Sequence, residues 1–209
     1  MTSESNKLTL TDAELIGAGA HKITYTHPHN KVLCVKIIKK RNDTDLNREL
    51  HYRSVLQKRH KYPKLIPSYH GTIETNKGLA HVFERICDYD GKTSMTMDQY
   101  IAEIISTSSL EEARERLLQM LQSFKKSWFE EQIVTSNIEL VNFMIQKKTA
   151  EEVCVRIVDN IGTPVLIPLA YYFDFFAAKR ASRYWQRFLG VLQESFPDFF
   201  DKNAIAKLT

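Results

Sequence analysis

Seven glycines, six prolines and three cysteines are all that 209 residues contain of the main structure-punctuating and cross-linking residue types. So little Gly and Pro excludes collagen-like and low-complexity architectures. Cys34, Cys87 and Cys154 are odd in number, far apart and set in apolar, strand-like runs. That pattern excludes a disulfide framework or a zinc knuckle and reads as buried, reduced thiols. No apolar run approaches the roughly 20 residues a bilayer span needs. The stretch Met1 to Lys7 lacks the apolar core of a secretory signal, so a cytoplasmic setting is expected. Charge of one sign is scarce as well: 29 Lys and Arg against 25 Asp and Glu leave +4. So mild an excess, with basic and acidic residues interspersed, does not select an anionic partner. What is present is ordinary globular composition, 43% hydrophobic and 26% charged. It is enough for one or two domains with a substantial core.

No internal repeat or linker divides the chain. Up to about Ile86, short strand-like runs alternate with turns: Leu8 to Ala18, Ile23 to His27 and Val32 to Ile38. Asp43 and Thr44 offer a helix N-cap, followed by Leu46, Leu50, Tyr52, Val55 and Leu56 on one broad face. Pro63 and Pro67 bound that helix. Ser68 to Thr75 and Ala80 to Ile86 are two further strands, with Asn76-Lys77-Gly78 as a hairpin turn. Ser109, with Glu111 and Glu112 in the first turn, caps an amphipathic helix through Leu110, Ala113, Leu117, Leu121, Phe124 and Trp128. A polar loop to Asn142 then leads to a hairpin, Phe143-Met144-Ile145 and Val153 to Val158, which ends at Asp159. Leu169 to Phe196 reads as aromatic-rich helix.

Lys36 interrupts the apolar run Val32-Leu33-Cys34-Val35-Lys36-Ile37-Ile38. Strand alternation puts it on the face of Val32, Cys34 and Ile38. A buried ammonium needs a partner or an anionic ligand; the bland alternative is an edge-strand lysine snorkelling to water. Gly17-Ala18-Gly19 lies upstream and Glu49 on the helix downstream. Glycine turn, strand lysine and helix glutamate, in that order, form the phosphate-handling half of a kinase-like nucleotide site. Asn142 and Asp159 supply the hard oxygen donors magnesium prefers, although Asp159-Asn160-Ile161-Gly162 would also make a plain turn. The seven histidines show no metal-ligand spacing on a helix. No Gly-x-Ser-x-Gly elbow or Cys/His pair argues for hydrolase chemistry. Lys179, Arg180, Arg183 and Arg187 fall at helical spacing among Tyr171, Phe175, Phe176, Tyr184, Trp185 and Phe188. The aromatics are expected in the core and the basic residues on a solvated face; an anionic protein, nucleic acid or membrane surface is the alternative, with nucleic acid disfavoured.

Ser68-Tyr69-His70-Gly71-Thr72-Ile73-Glu74-Thr75, Asp88-Tyr89-Asp90-Gly91-Lys92 and the segment from Asp159-Asn160-Ile161-Gly162 through Leu166-Ile167-Pro168-Leu169-Ala170 resemble the bacterial PhoP regulatory network protein YrbL family. The resemblance covers roughly residues 14 to 190. It implies a protein-kinase-like fold and a bacterial cytoplasmic context more than a substrate. Carried over, the kinase pattern matches Lys36 to the strand lysine, Glu49 to the helix glutamate and Glu84-Arg85-Ile86 to the hinge that would meet adenine. Thr135-Ser136-Asn137-Ile138-Glu139-Leu140-Val141-Asn142 aligns with the catalytic loop without a gap, and Asn142 and Asp159 take the two metal positions. Asn137 then stands in place of the catalytic aspartate, and Glu139 in place of the lysine near the transferred phosphate. An amide cannot accept the substrate proton as a carboxylate would, and Glu139 sets a like charge near a γ-phosphate. The fifty residues after Asp159, without an Ala-Pro-Glu signature, imply a reduced large lobe.

The expectation is an α+β, two-lobed, protein-kinase-like fold: a five-stranded small lobe over residues 1–87 and a truncated, mostly helical large lobe over residues 88–209. Gly17, Gly19, Lys36, Glu49, Glu84 and Ile86 are its ATP-binding candidates, Asn142 and Asp159 its Mg²⁺ donors, and Asn137 and Glu139 its catalytic-loop candidates. Three functions compete: a regulatory, degenerate kinase with a protein partner at the C-terminal aromatic-basic helices, an atypical phosphotransferase, and an interaction scaffold that binds no nucleotide.

Overall fold

The computed structural model describes residues 7–19, 21–39 and 44–209. Its architecture is α+β, and its chain contacts separate two compact units, Met1–Thr44 with Pro67–Thr93 and Asp45–Ile66 with Ser94–Thr209. The Asp43 cap expected from the sequence lies outside the described residues. Among those described, no helix is long and apolar enough to cross a membrane.

The first unit is a five-stranded antiparallel sheet: β1 (Leu15–Ala18), β2 (Lys22–Thr26), β3 (Leu33–Ile38), β4 (Tyr69–Thr75) and β5 (Gly78–Glu84), in the order β1-β2-β3-β5-β4. A helix follows the third strand in the chain, so the order of elements is that of the expected kinase-like small lobe. β3 lies between β2 and β5, which removes the edge-strand reading of Lys36. Period-two alternation sends Val35 and Ile37 into a core with Tyr25, Ala80 and Val82, and turns Cys34 and Lys36 to the other face. The β4–β5 hairpin turns as expected, with Gly78 at φ 106° and Thr75 Oγ1 donating to its carbonyl at 2.6 Å. The Asn76 side chain clamps the chain entering the sheet, accepting from Leu10 N at 2.9 Å and donating to Leu10 O at 3.1 Å.

One expected strand is largely something else. Within Leu8 to Ala18, Leu8 makes only a lone parallel bridge to Thr75, and Asp12–Glu14 is a single 3₁₀ turn before β1 begins. Thr11 and Glu14 form a reciprocal capping box there, which breaks the extended run.

The second unit takes all but the first residue of α1 (Thr44–Lys58), which buries Tyr52, Val55 and Leu56. After the excursion through β4 and β5 come β6 (Met95–Thr96), α2 (Met97–Thr107), α3 (Leu110–Glu131), β7 (Phe143–Lys147), β8 (Val153–Ile157), α4 (Leu169–Tyr172), α5 (Asp174–Ser195) and α6 (Lys202–Ala206). The strands form a small antiparallel sheet, β6-β7-β8. α3 starts where its sequence signal puts it, with the Ser109–Glu112 capping box formed. Its core face, Phe124 and Trp128, meets Phe143, Trp185 and Phe188 in a cluster of rings 5.2–6.4 Å apart. Both buried indoles keep their N–H satisfied, Trp128 on Ala181 O and Trp185 on Leu208 O, each at 3.0 Å.

The C-terminal helix differs from its expectation in two ways. It breaks at Phe173, which is extended, and Arg59 holds the break by donating to Tyr171 O and to Asp174 Oδ1, both at 2.8 Å. Of the aromatics expected in the core, Tyr171, Tyr184, Trp185 and Phe188 are buried, whereas Phe175 and Phe176 are exposed. They lie off the stripe Ala177, Ala181, Tyr184, Trp185, Phe188 and Leu192 that packs inward.

Candidate functional site

The first unit carries five candidates. Lys36 is buried at the centre of β3, opposite Thr24 on β2 and His81 on β5. Its Nζ stands 4.5 Å from the centroid of Phe83, which lies diagonally across on the same face. The neighbouring Cys34 directs its thiol to Glu84 O at 3.8 Å, and burial pushes the thiol pKa up, so it is a packing group rather than a nucleophile. Gly17 sits in β1 opposite Thr24, and Gly19 closes the β1–β2 turn, donating to Lys22 O at 2.9 Å. Neither has a positive φ, and among the described residues an added Cβ would meet nothing within 4 Å at Gly17 and only Lys22 O at 3.8 Å at Gly19. The described residues therefore do not demand glycine at either place. Glu84 ends β5 and returns to the chain before β4: its carboxylate accepts from Ser68 N at 3.0 Å and its N–H donates to Ser68 O at 2.9 Å. Ile86 is buried two residues later.

The other five candidates belong to the second unit. Glu49 is buried on α1, and the guanidinium of Arg53, one turn on, donates to its Oε1 from Nε at 2.9 Å and Nη2 at 2.6 Å. Arg53 was not among the residues singled out from the sequence. The signal was available in the Glu–Arg spacing of four, which sets both on one helix face.

Asn137, Glu139 and Asn142 come together within one loop. Glu139 is exposed and takes two amides: Asn137 Nδ2 donates to Oε1 at 2.5 Å and Asn142 Nδ2 to Oε2 at 3.4 Å. Asn137 Oδ1 accepts from Ile138 N at 2.9 Å, so the side chain is turned along its own loop. Asn142 is buried, and its carbonyl accepts from Val158 N at 2.9 Å, which sets Asp159 one residue from that contact. Asp159 also acts as the turn former of the plainer reading, with Oδ1 accepting from Asn160 N at 2.8 Å and Asn160 at φ 57°.

The turn beyond Asp159 is tied back to the loop. Thr135 bridges Ile161, and Asn160 O accepts from Ser136 N and Thr135 Oγ1, both at 2.8 Å, and from Ser136 Oγ at 3.2 Å. Gly162 N donates to Val134 O at 2.7 Å. From the opposite side Arg180 on α5 donates to Thr135 O at 2.7 Å and to Tyr184 OH at 2.8 Å, and Tyr184 OH donates to Ser136 O at 3.2 Å. Arg180 is thus not part of a solvated face; burial lowers its guanidinium pKa. Tyr52 OH accepts from Val134 N at 3.1 Å, and burial pushes that phenol up to about 12. Loop and turn are tied to each other and held from two helices, α1 and α5, around the side chains at 137, 139, 142 and 159.

The donor chemistry fits magnesium in part. An amide oxygen and a carboxylate from adjoining loops are hard donors, and the Asn142–Glu139 bond orients the amide with Nδ2 toward Glu139. Among the described residues no group of three or more His, Cys, Asp or Glu could hold a metal ion.

The sequence profile of the family described as PhoP regulatory network protein YrbL matches residues 8–193. The uncharacterized protein YrbL of Escherichia coli strain K12 is 33% identical over 183 residues, which cover 86% of this chain and 85% of that protein. YrbL of Shigella flexneri matches with the same figures. Among solved structures, a double mutant of the Mycobacterium tuberculosis PknI kinase domain aligns over 70% of this chain and 56% of its own, at 13% identity and a TM-score of 0.40. A profile match over most of the sequence, with relatives one-third identical across nearly their whole length, means that the chain belongs to the PhoP regulatory network protein YrbL family.

Proposed function

We propose that this protein is a kinase-like nucleotide-binding protein with a regulatory role, a degenerate kinase rather than an efficient one. The observation that carries the reading is the state of the loop at 137–142. Where a kinase needs a carboxylate to accept the substrate proton, Asn137 offers an amide already committed to Glu139 and to Ile138 N. In this reading residues 1–87 form the small lobe and 88–209 the reduced large lobe. Lys36 serves the α- and β-phosphates of ATP with Glu49 holding its ammonium in place, and Glu84 to Ile86 meet adenine. Glycine at 17 and 19, which the described residues do not require, permits close approach of phosphate. Asn142 and Asp159 hold Mg²⁺, which when bound neutralises phosphate charge. The family name points to a regulatory network, and a bacterial cytoplasmic setting belongs to the same reading. Nucleotide would act by binding one conformation of the protein more tightly than another, with a protein partner at the C-terminal aromatic-basic helices.

One observation favours a second reading. Glu139 is exposed, and two amides fix its carboxylate. An atypical phosphotransferase could use it as the base that Asn137 cannot be. Transfer of labelled phosphate from ATP to the protein itself, to a lysate or to metabolites separates the two. The degenerate reading expects none. Transfer that Asp159→Ala abolishes would overturn it, and survival of that transfer in Glu139→Gln would remove Glu139 as the base.

A further inference from the structure

α5 carries an unusual outer face. Phe175, Lys179, Arg183 and Arg187 recur at every fourth position and form one exposed stripe, with Phe176 beside it. Phe175 is 73% exposed and packs edge-on against Phe176 at 5.5 Å, so two rings stand in water at the head of the stripe. Between Asp174 and Glu194 the helix contains no acidic residue. Asp174 is already held by Arg59 and Lys61, at 2.8 and 2.5 Å. None of Lys179, Arg183 and Arg187 is in an ion pair among the described residues. The two arginines lie over the ring of Tyr184, 5.5 and 5.1 Å from its centroid, which limits the orientations of their guanidinium groups.

An exposed aromatic pair beside three unpaired cations is the composition of an interface centre, where aromatics and Arg concentrate, and not of ordinary surface. The sign of the charge fixes the chemistry of the occupant. Guanidinium groups held over an aromatic ring present planar donors suited to bidentate carboxylates, a directional demand that a diffuse lipid surface does not make. The four-residue repeat matches the spacing of one helix face lying against another.

We propose that this stripe is the docking surface for an acidic amphipathic helical segment of a partner protein. Its carboxylates pair with Lys179, Arg183 and Arg187, and its apolar side chains cover Phe175 and Phe176. The proposal rests on the reading of the C-terminal helices as the partner-binding region and adds the class of partner; it does not depend on nucleotide.

The test uses the full chain and a fluorescein-labelled helical peptide with Glu along one face and Leu along another, beside versions with Gln or Lys in place of Glu. Fluorescence anisotropy should show binding of the Glu peptide that weakens with salt. That binding should fall about tenfold or more in R183E/R187E and also in Phe175→Ser, with Lys92→Glu, at an exposed lysine of the first unit, unchanged. R183E/R187E should in turn gain binding of the Lys peptide, a result that loss of folding could not produce. Equal binding of the Glu and Gln peptides would overturn the acidic partner while leaving the surface a partner site. Binding of no peptide would overturn both. Capture of phosphatidylglycerol vesicles, but of no peptide, with the same dependence on Arg183 and Arg187 would replace the protein partner with a membrane. Self-association lost in R183E/R187E would make the occupant a second copy.

Discussion

At Asn137 the side chain's two contacts assign both of its polar atoms, Nδ2 to Glu139 and Oδ1 to Ile138 N. Exchanging this amide for a carboxylate tests how the loop is built. Asn137→Asp removes the donor and sets two carboxylates within hydrogen-bonding distance, so the loop should lose stability rather than regain a kinase base. The expected cost is about 1 kcal/mol at pH 7, read from urea unfolding, because the pair is partly solvated. The sign with pH follows from linkage. The new pair binds protons more readily in the folded state than in the unfolded chain, so the penalty should shrink as pH falls toward about 4. A variant as stable as wild type at pH 7 would show that the Asn137–Glu139 contact does not hold the loop.

Among the elements, β3 and α3 were the most legible, because each carries a local signal: a lysine breaking an apolar alternation, and a Ser109–Glu112 cap before a clear 3.6-residue period. α2 carries a weaker signal: Gln99 Oε1 accepts from Thr96 N at 3.2 Å at its start, and Met97, Tyr100, Ile101 and Ile104 mark its face. α6 is too short to show a period. The frame around the candidate loop was illegible for another reason. Arg180 meets Thr135 across 45 residues and Tyr184 meets Ser136 across 48, and no local pattern announces such contacts. The misplaced Phe175 and Phe176 show the limit of composition: aromatic residues on a helix are not core unless they fall on its inward stripe. The turn after β8 gives the sharpest prediction at this scale. Gly162 has φ 90°, and a Cβ there would stand 2.7 Å from Tyr171 Oη, 2.9 Å from Arg48 Cγ and 3.3 Å from Arg48 O. Tyr171 Oη cannot easily yield, since it accepts from Thr163 N at 2.7 Å. Gly162→Ala should therefore destabilise the protein by about 2–4 kcal/mol, strain and overlap together, measured by urea unfolding. A loss below about 0.5 kcal/mol, ordinary for a surface site, would contradict this account of the turn.

For the whole molecule, the sheet unit supplies a buried lysine on a central strand and two glycines that the described residues do not require, and the helical unit supplies an oriented amide and a carboxylate beside a hydrogen-bonded loop. The proposed function asks these groups to serve one ligand, Mg-ATP. Thermal unfolding across a titration of Mg-ATP, with wild type beside Lys36→Ala and Asp159→Asn, tests that most directly. At a hundred times its Kd a ligand stabilises by about 2.7 kcal/mol, which for a chain of this size raises Tm by roughly 5–11 °C. The account predicts such a rise in wild type, dependent on Mg²⁺ and absent from both variants. No rise at millimolar Mg-ATP, or an equal rise in all three proteins, would contradict it.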